Sequence, residues 1–159
     1  ITGPGWNCIN PTGNLDPLVF QKIGRGEGIV LPNMGMETVH HVHADDVAQV
    51  FMNAICYRGQ ALGESFHAVA PHAMTLGFAE AMYAWFGKQP DISFLPWKEW
   101  CEHTAVDSFI NSTWSHVTHS DNYSIEKGKR LINYNPRYTI LQAVEESVNS
   151  MLERGVITV

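Results

Sequence analysis

The chain has 159 residues and a formal net charge of −6 at pH 7, with 45% hydrophobic and 16% charged residues. This length suits one ordinary domain with a substantial core, and the hydrophobic fraction excludes a disordered tail. Only 10 residues are Lys or Arg, and they form no basic run, so we expect no nucleic-acid partner and no membrane partner.

The predicted secondary structure alternates between strands and helices, which favours an α/β or mixed α+β architecture. The first predicted elements are a loop over 3–17, a helix that starts at Asp16-Pro17 and ends at Gly24 or Gly26, strands over 28–32 and 37–44, and a helix capped by Asp45-Asp46. A strand over 65–69, a helix over 73–86, a strand over 92–95 and helical stretches over 96–101 and 105–114 follow. The chain ends with a helix from Ser124 to about 131 and a last helix opened by a capping box at Thr139 and Gln142.

Four of these helices carry apolar residues at helical spacing, which predicts that each one packs a face against a core. The residues predicted to point inward are Leu18, Val19, Phe20 and Ile23 in the first helix; Val47, Val50, Phe51, Ala54 and Ile55 in the second; Leu76, Ala79, Tyr83 and Phe86 in the third; and Leu141, Val144, Val148, Met151 and Leu152 in the last.

The cysteines and the first residue bear on the cellular context. Cys8, Cys56 and Cys101 lie far apart without a paired spacing, which indicates reduced thiols. No apolar stretch is long enough for a membrane span, and no signal peptide is present, so we expect a cytoplasmic location. Because the sequence begins at Ile1 rather than Met, we expect either processing or a piece of a longer protein.

The segment from His40 to Asp46 is the most polar cluster on an otherwise apolar strand. On a strand, His41 and His43 share one face and His40 points to the other. Two histidines and a nearby Asp could bind zinc. Local hydrogen bonding at a strand end that leads into a helix is the favoured interpretation, and no second cluster at ligand spacing completes a metal site.

Two motifs resemble parts of a nicotinamide enzyme but fail in detail. Gly24, Gly26 and Gly28 follow a helix and precede a strand, which is the reverse of a dinucleotide-binding loop. Tyr123 and Lys127 have the spacing of a catalytic Tyr/Lys pair. Because Ser124 is the better helix cap, we expect Tyr123 to lie outside the helix that carries Lys127.

Aromatic residues are dense in the second half of the chain. Trp97, Trp100, Phe109 and Trp114 could fill the core or line a pocket, and packing between elements is the favoured interpretation.

Taken in order, the motifs resemble the C-terminal half of the NAD-dependent epimerase/dehydratase family, the extended short-chain dehydrogenases. The residues that carry the resemblance are the Gly3-Pro4-Gly5 turn, the helix that ends at Arg25-Gly-Glu, the strand from Thr38 into Asp45-Asp46-Val-Ala48, the run from Ser124 through Lys127 and Arg130 to Tyr134 and Pro136, and the Thr-capped last helix. The tail has Asn133 and Tyr134 where the family usually has Gly and Trp.

The resemblance covers essentially the whole chain and implies what is missing from it. The family's glycine-rich cofactor loop and its catalytic Tyr/Lys pair would lie upstream of Gly3. The expected fold is therefore the C-terminal part of an extended Rossmann-type enzyme with its small substrate-binding subdomain. We expect residues 1–159 to form a single substrate-binding portion, without the NAD(P)-binding domain.

The resemblance also implies where ligands would bind. Gly3 and Pro4 would contact the cofactor, NAD or NADP, in the full-length parent. The substrate pocket would be lined by Trp6, Asn10, Asn14, Val39, His41 and Tyr134. Members that act on nucleotide sugars usually carry an Arg at the position of Val39. Its absence favours a smaller carbonyl or alcohol substrate over a sugar nucleotide.

We therefore expect the substrate-binding portion of an NAD(P)-dependent epimerase, dehydratase or reductase, homodimeric in the parent. Alone, this chain is expected to be inactive, to bind no cofactor tightly, and to self-associate or be unstable because an apolar face and strand edges are uncovered. The alternatives are a non-catalytic regulatory or scaffolding member of the same fold and, less favoured, a metal enzyme built on the histidine cluster.

Overall fold

A computed structural model describes all residues, 1–159. The elements in chain order are α1 (Leu18–Arg25), β1 (Ile29–Pro32), β2 (Thr38–Val39), α2 (Ala44–Cys56), α3 (Arg58–Ala61), β3 (Met74–Thr75), a 3-10 turn (Leu76–Phe78), α4 (Ala79–Trp85), β4 (Ile92–Leu95), α5 (Trp97–Thr104), α6 (Asp107–His119), α7 (Glu126–Ile132) and α8 (Ile140–Glu153). None of the helices is long and apolar enough to cross a lipid bilayer.

The strands form two small sheets rather than one large sheet. β1 and β4 pair in parallel, with Ile29 opposite Ile92. β2 and β3 pair antiparallel, with Thr38 opposite Thr75. A separate parallel bridge joins Thr2 to His43. The architecture is therefore mixed α/β, with helices outnumbering strands.

The main core lies between α1, α4 and α8. Val19, Phe20 and Ile23 of α1 are buried as predicted, whereas Leu18 is 49% exposed. Gly26 ends α1 in the left-handed conformation, with φ of 74°, which confirms that this glycine terminates a helix.

The last helix also follows its sequence pattern. The Thr139 side chain accepts a hydrogen bond from the Gln142 backbone N–H, and the Gln142 side chain accepts from the Thr139 N–H, which completes the predicted capping box. Val144, Val148 and Met151 are fully buried against the main core.

Two strand predictions were wrong. Of the segment predicted over 37–44, only Thr38–Val39 forms a strand, because α2 begins at Ala44 and the residues before it have only the bridge to Thr2. The segment over 65–69 forms no strand, and the strand in this region is Met74–Thr75 instead. Consequently the helix predicted from residue 73 begins at Ala79, after a 3-10 turn.

The predictions for α2 were wrong in two respects. His43, not the Asp45-Asp46 pair, is the N-cap, and its Nδ1 accepts a hydrogen bond from the Asp45 N–H. The predicted apolar stripe is only partly inward: Phe51 is 69% exposed and Ile55 is 71% exposed. Val47, Val50 and Ala54 are half-buried, and Val50 packs against a second apolar cluster. The only fully buried residue of α2 is Asp46.

Polar side chains explain this orientation of α2. Asp46 accepts hydrogen bonds from the backbone N–H groups of Arg137 and Tyr138. Gln49 bonds the backbone of Asn135, and Asn53 donates to the Asn133 carbonyl. Because residues 46, 49 and 53 lie on one helical face, these bonds turn that face toward the protein.

The remaining helices are longer or start later than predicted. α5 and α6 extend to Thr104 and His119, each followed by a residue in the left-handed conformation. α7 begins at Glu126, whose N–H donates to the Ser124 hydroxyl. Tyr123 therefore lies outside the helix of Lys127, as predicted.

Candidate substrate-binding pocket

A pocket of about 200 Å³ opens between the loop before α1, the start of β1 and the junction of α5 with α6. It combines apolar side chains with a few polar and charged ones. The lining residues are Thr12, Asn14, Asp16, Val19, Lys22, Gly28, Ile29, Val30, Trp100, His103, Thr104, Val106 and Phe109.

One wall of this pocket is a buried polar network. Asn10 Nδ2 donates to Asn14 Oδ1 at 2.7 Å, and Asn14 Nδ2 donates to the hydroxyls of Thr12 and Thr113. Asn14 Oδ1 also accepts the Asp16 N–H. The Asn14 amide is thus saturated by the protein, so it shapes a rigid wall rather than offering free hydrogen bonds to a ligand.

The opposite wall is aromatic. Trp100 is fully buried, and its Nε1 donates to the Val30 carbonyl at 2.9 Å. Trp97 stacks on Trp100 with ring centroids 5.5 Å apart and contacts Trp114 at 5.2 Å. Trp100 and Phe109 line the pocket, whereas Trp97 and Trp114 support Trp100 from outside it.

Charged and titratable side chains stand at three places in the lining. Asp16 Oδ1 accepts the Leu18 N–H at the start of α1. Lys22 and His103 form no ion pair and no side-chain hydrogen bond within the protein. These two are therefore the side chains available to an acidic group or a carbonyl oxygen in the pocket.

The Gly3-Pro4-Gly5 turn is held by the last helix. The buried Ser147 hydroxyl accepts hydrogen bonds from Thr2 Oγ1 at 2.6 Å and from the Gly3 N–H at 2.8 Å, and donates to the Gly3 carbonyl at 2.9 Å. Ser150 Oγ accepts the Gly5 N–H. Gly3 has φ of 145°, and an added Cβ would lie 3.2 Å from His43 Nε2, so a larger residue would not fit without strain.

This turn does not form a complete dinucleotide site. The Gly3 amide and carbonyl are both occupied by Ser147, and no glycine-rich loop of the chain opens a helix after a strand. The residues present therefore do not fit a nicotinamide dinucleotide by themselves.

The other residues predicted to line the pocket are dispersed. Trp6 is exposed on the surface, and Val39 is buried in the main core. The Tyr134 hydroxyl donates to the Val69 carbonyl inside a second apolar cluster, and its burial raises the pKa of that phenol. Of the six predicted substrate-binding residues, the structure brings together only Asn10 and Asn14.

His41 is buried away from the pocket. Its Nε2 has no hydrogen-bond partner, and burial lowers the pKa of its imidazole to about 3. Desolvation has this effect because it disfavours the charged form. His41 is therefore neutral at physiological pH.

The remaining histidines of this segment are used within the protein. His43 Nδ1 accepts a backbone N–H, so Nε2 carries the proton and donates to Glu146 Oε2 at 3.0 Å, while the ring stacks on Tyr138. His40 donates from Nε2 to the Ala70 carbonyl and accepts the Tyr123 N–H at Nδ1. No group of three or more His, Cys, Asp or Glu side chains is placed to hold a metal ion.

Sequence reasoning missed the groups that fix these elements in place. Ser147 and Ser150 lie about 145 residues from the turn they hold, and nothing in their local sequence marks them. Lys22, His103 and Val106 were also missed, because helix signals alone do not show which residues of α1, α5 and α6 meet at one pocket.

Comparison with known proteins identifies the fold but gives no close relative. No protein-family model matches the chain, and no curated protein matches it. Among solved structures, the chain is similar to UDP-glucuronic acid 4-epimerase from Bacillus cereus in complex with NAD (TM-score 0.60, 12% identity, covering 96% of this chain and 42% of that one).

Two further structures give the same result. The epimerase Mth375 from Methanothermobacter thermautotrophicus has a TM-score of 0.61 and 16% identity, and the match covers 86% of this chain and 36% of that one. The protein gox2253 has a TM-score of 0.62 and 19% identity, covering 99% of this chain and 48% of that one. The chain thus spans less than half the length of these proteins, and it has the mixed α/β fold of their C-terminal part.

Proposed function

We propose that this chain is the substrate-binding C-terminal portion of an NAD(P)-dependent epimerase, dehydratase or reductase. The observation that supports this most is the fold match to epimerase structures, one of them an NAD complex, over nearly the whole chain but under half of theirs. Hydride transfer would use a cofactor held by another portion. This chain would hold the substrate, which supplies proximity and specificity.

In this proposal the pocket lined by Asn14, Trp100 and Phe109 receives the substrate, and the Gly3-Pro4 turn contacts the cofactor. Bound cofactor would supply the hydride acceptor or donor, and the proton would move through a Tyr/Lys pair outside this chain. The turn is suited to a positioning role, since Ser147 fixes both polar groups of Gly3. The complete enzyme would be a cytoplasmic homodimer that acts on a small molecule.

The pocket chemistry favours a small carbonyl or alcohol over a sugar nucleotide. A nucleotide diphosphate brings at least two negative charges, which Arg residues usually neutralise. No Arg lines the pocket, Asp16 adds a carboxylate, and Lys22 is the one permanently charged cation. Position 39 supplies no positive charge either, because Val39 is apolar and is buried in the main core.

Tryptophan fluorescence can test the pocket directly on the purified chain. We expect cyclic and aromatic ketones such as acetophenone to quench Trp100 emission saturably, and UDP to have no saturable effect. The quenching should persist in Trp6→Phe, which removes an exposed indole away from the pocket, and should be lost in Phe109→Ala. Saturable quenching by UDP but not by ketones would contradict the proposed substrate class.

The enzymatic part of the proposal needs the complete polypeptide to which we assign this chain. We expect that polypeptide to convert a carbonyl or alcohol substrate with its nicotinamide cofactor. A reductase would oxidise the reduced cofactor, whereas an epimerase or dehydratase would return the hydride to the substrate and change no net cofactor. We expect the 159-residue chain to show no turnover. A complete polypeptide that binds the cofactor but turns over no carbonyl or alcohol would instead support a regulatory or scaffolding role.

A further inference from the structure

The polar side chains of the candidate pocket divide into bonded and free ones. The Thr12 hydroxyl and the Asn14 amide bond each other within the buried network. Lys22, His103 and Thr104 line the same pocket, and their side chains make no hydrogen bond and no ion pair within the protein. An ammonium, an imidazole and a hydroxyl can each donate a hydrogen bond. The pocket therefore has free donors for which the protein supplies no acceptor.

The carboxylate of the pocket lining does not take up these donors. Asp16 is the only acidic residue of the lining, and its Oδ1 accepts the Leu18 N–H at 3.0 Å. Lys22 lies in the last turn of α1, more than one helical turn beyond Asp16, and the two form no ion pair. The charge of Lys22 is thus left for an anionic group of a ligand.

The other two free donors are placed by a bend of the backbone after α5. Ala105 ends this helix in the left-handed conformation, with φ of 51°, which is uncommon for a residue that has a Cβ. Thr104 and Val106 flank Ala105, and both line the pocket, as does His103 in the last turn of α5. Left-handed backbone at residues other than glycine is concentrated at ligand sites. This bend brings two donors and an apolar side chain to one cavity.

We infer that the pocket binds a small carboxylic acid, a hydroxy acid or an oxo acid with an apolar body. Its carboxylate would accept from Lys22, His103 and Thr104, and its apolar body would contact Trp100 and Phe109. The inference rests on the proposed function, in which this pocket receives the substrate, and it narrows that substrate from any small carbonyl or alcohol to an acid.

A carboxylate matches this set of donors better than the other anions or a neutral group would. It has two oxygens with about four acceptor positions and no donor of its own. One permanent cation, Lys22, neutralises a single negative charge, whereas a diphosphate brings at least two. A neutral alcohol or ketone would leave the Lys22 charge without a partner.

Mandelate and 1-phenylethanol form a matched pair of ligands for testing the inference. Both carry a phenyl ring and a hydroxyl on the same carbon, and they differ only by a carboxylate in place of a methyl group. We expect calorimetric titration of the complete polypeptide to show mandelate binding at least about tenfold more tightly, because charged hydrogen bonds are the stronger ones. Since Lys22 and His103 are exposed, about 0.5 M salt should remove most of this preference by screening.

Substitutions identify the groups that hold the carboxylate. We expect Lys22→Met to weaken mandelate binding about tenfold and His103→Leu about threefold, while the affinity for 1-phenylethanol stays the same. Lys98→Met is the matched control, because Lys98 is exposed on α5 outside the pocket lining, and it should change neither affinity. The melting temperature should stay the same in all three variants, since each one replaces an exposed side chain.

The possible results separate this inference from the proposed function. Equal affinity for the two ligands would overturn the inference and leave the proposed function intact. A preference for mandelate that persists in both Lys22→Met and His103→Leu would also overturn it, because the carboxylate would then bind elsewhere. Binding of neither ligand would overturn it together with the proposed pocket. A preference that both variants reduce, in a complete polypeptide that converts no hydroxy acid or oxo acid with a nicotinamide cofactor, would support the acid site while the proposed function fails.

Discussion

Replacing Ser147 with Ala should weaken the protein far more than the loss of one hydroxyl suggests. Its Oγ makes three hydrogen bonds in a fully buried position, to the Thr2 hydroxyl and to the amide and carbonyl of Gly3. The variant leaves the Thr2 hydroxyl and the Gly3 N–H buried without a partner, while the Gly3 carbonyl still accepts the Trp6 N–H. A buried polar group without a partner costs about 1–3 kcal/mol, and partial relaxation makes the total about 3 kcal/mol.

The matched control is Ser150→Ala, which removes one bond to the Gly5 N–H at a partly buried site. We expect it to cost about 1 kcal/mol. At roughly 2–4 °C per kcal/mol for a chain of this size, Ser147→Ala should melt about 6–12 °C below the wild type, and Ser150→Ala about 2–4 °C below it.

Urea unfolding followed by tryptophan emission measures both free energies. Amide hydrogen exchange at Gly3 should also become faster in Ser147→Ala, because its acceptor is gone. If Ser147→Ala and Ser150→Ala lose the same stability, to within about 0.5 kcal/mol, the hydroxyl is not the anchor of the turn and this reasoning is refuted.

Two further predictions concern buried rings. Trp100→Phe should lower the free energy of unfolding by about 2–3 kcal/mol, because the Val30 carbonyl loses its donor and a void opens beside the pocket. The control Trp114→Phe, at a 53% exposed site, should lower it by less than about 0.5 kcal/mol. Equal losses of stability in urea unfolding would contradict this prediction. The pKa of His41 is lowered from 6.5 to about 3 in the folded protein, so below pH 6.5 the unfolded chain binds a proton that the folded one does not. The free energy of unfolding should therefore fall by up to about 1.4 kcal/mol per pH unit from pH 6.5 toward pH 3. His41→Gln should make this dependence on pH less steep, and the control His119→Gln should leave it unchanged. An unchanged slope in His41→Gln would contradict the lowered pKa of His41.

The sequence predicted the elements that carry their own local signals. The capping box of α8 and the glycine that ends α1 are such signals, and both are confirmed. The orientation of α2 could not be predicted, because an apolar stripe indicates that a face is to be covered but not what covers it. The segment over 65–69 failed for a related reason, since a short apolar run forms a strand only where a partner strand lies beside it.

The candidate site was predictable only in part. Asn10 and Asn14 lie in one loop, so a local concentration of turn-forming residues pointed to them, and the structure brings them together beside the pocket. Val39, His41 and Tyr134 do not lie together in the structure. Their predicted placement assumed a strand over 37–44, and the strand that forms is too short to set the direction of the later side chains. The role of Ser147 could not be predicted from the sequence, since only the tertiary fold brings it to Gly3.

Calorimetric titration with NAD and NADP tests the central claim most directly. The claim is that this chain holds substrate while another portion holds the cofactor. It predicts no heat of binding beyond dilution for the 159-residue chain, and saturable micromolar binding for the complete polypeptide. Micromolar binding of either dinucleotide to the chain alone would contradict the claim.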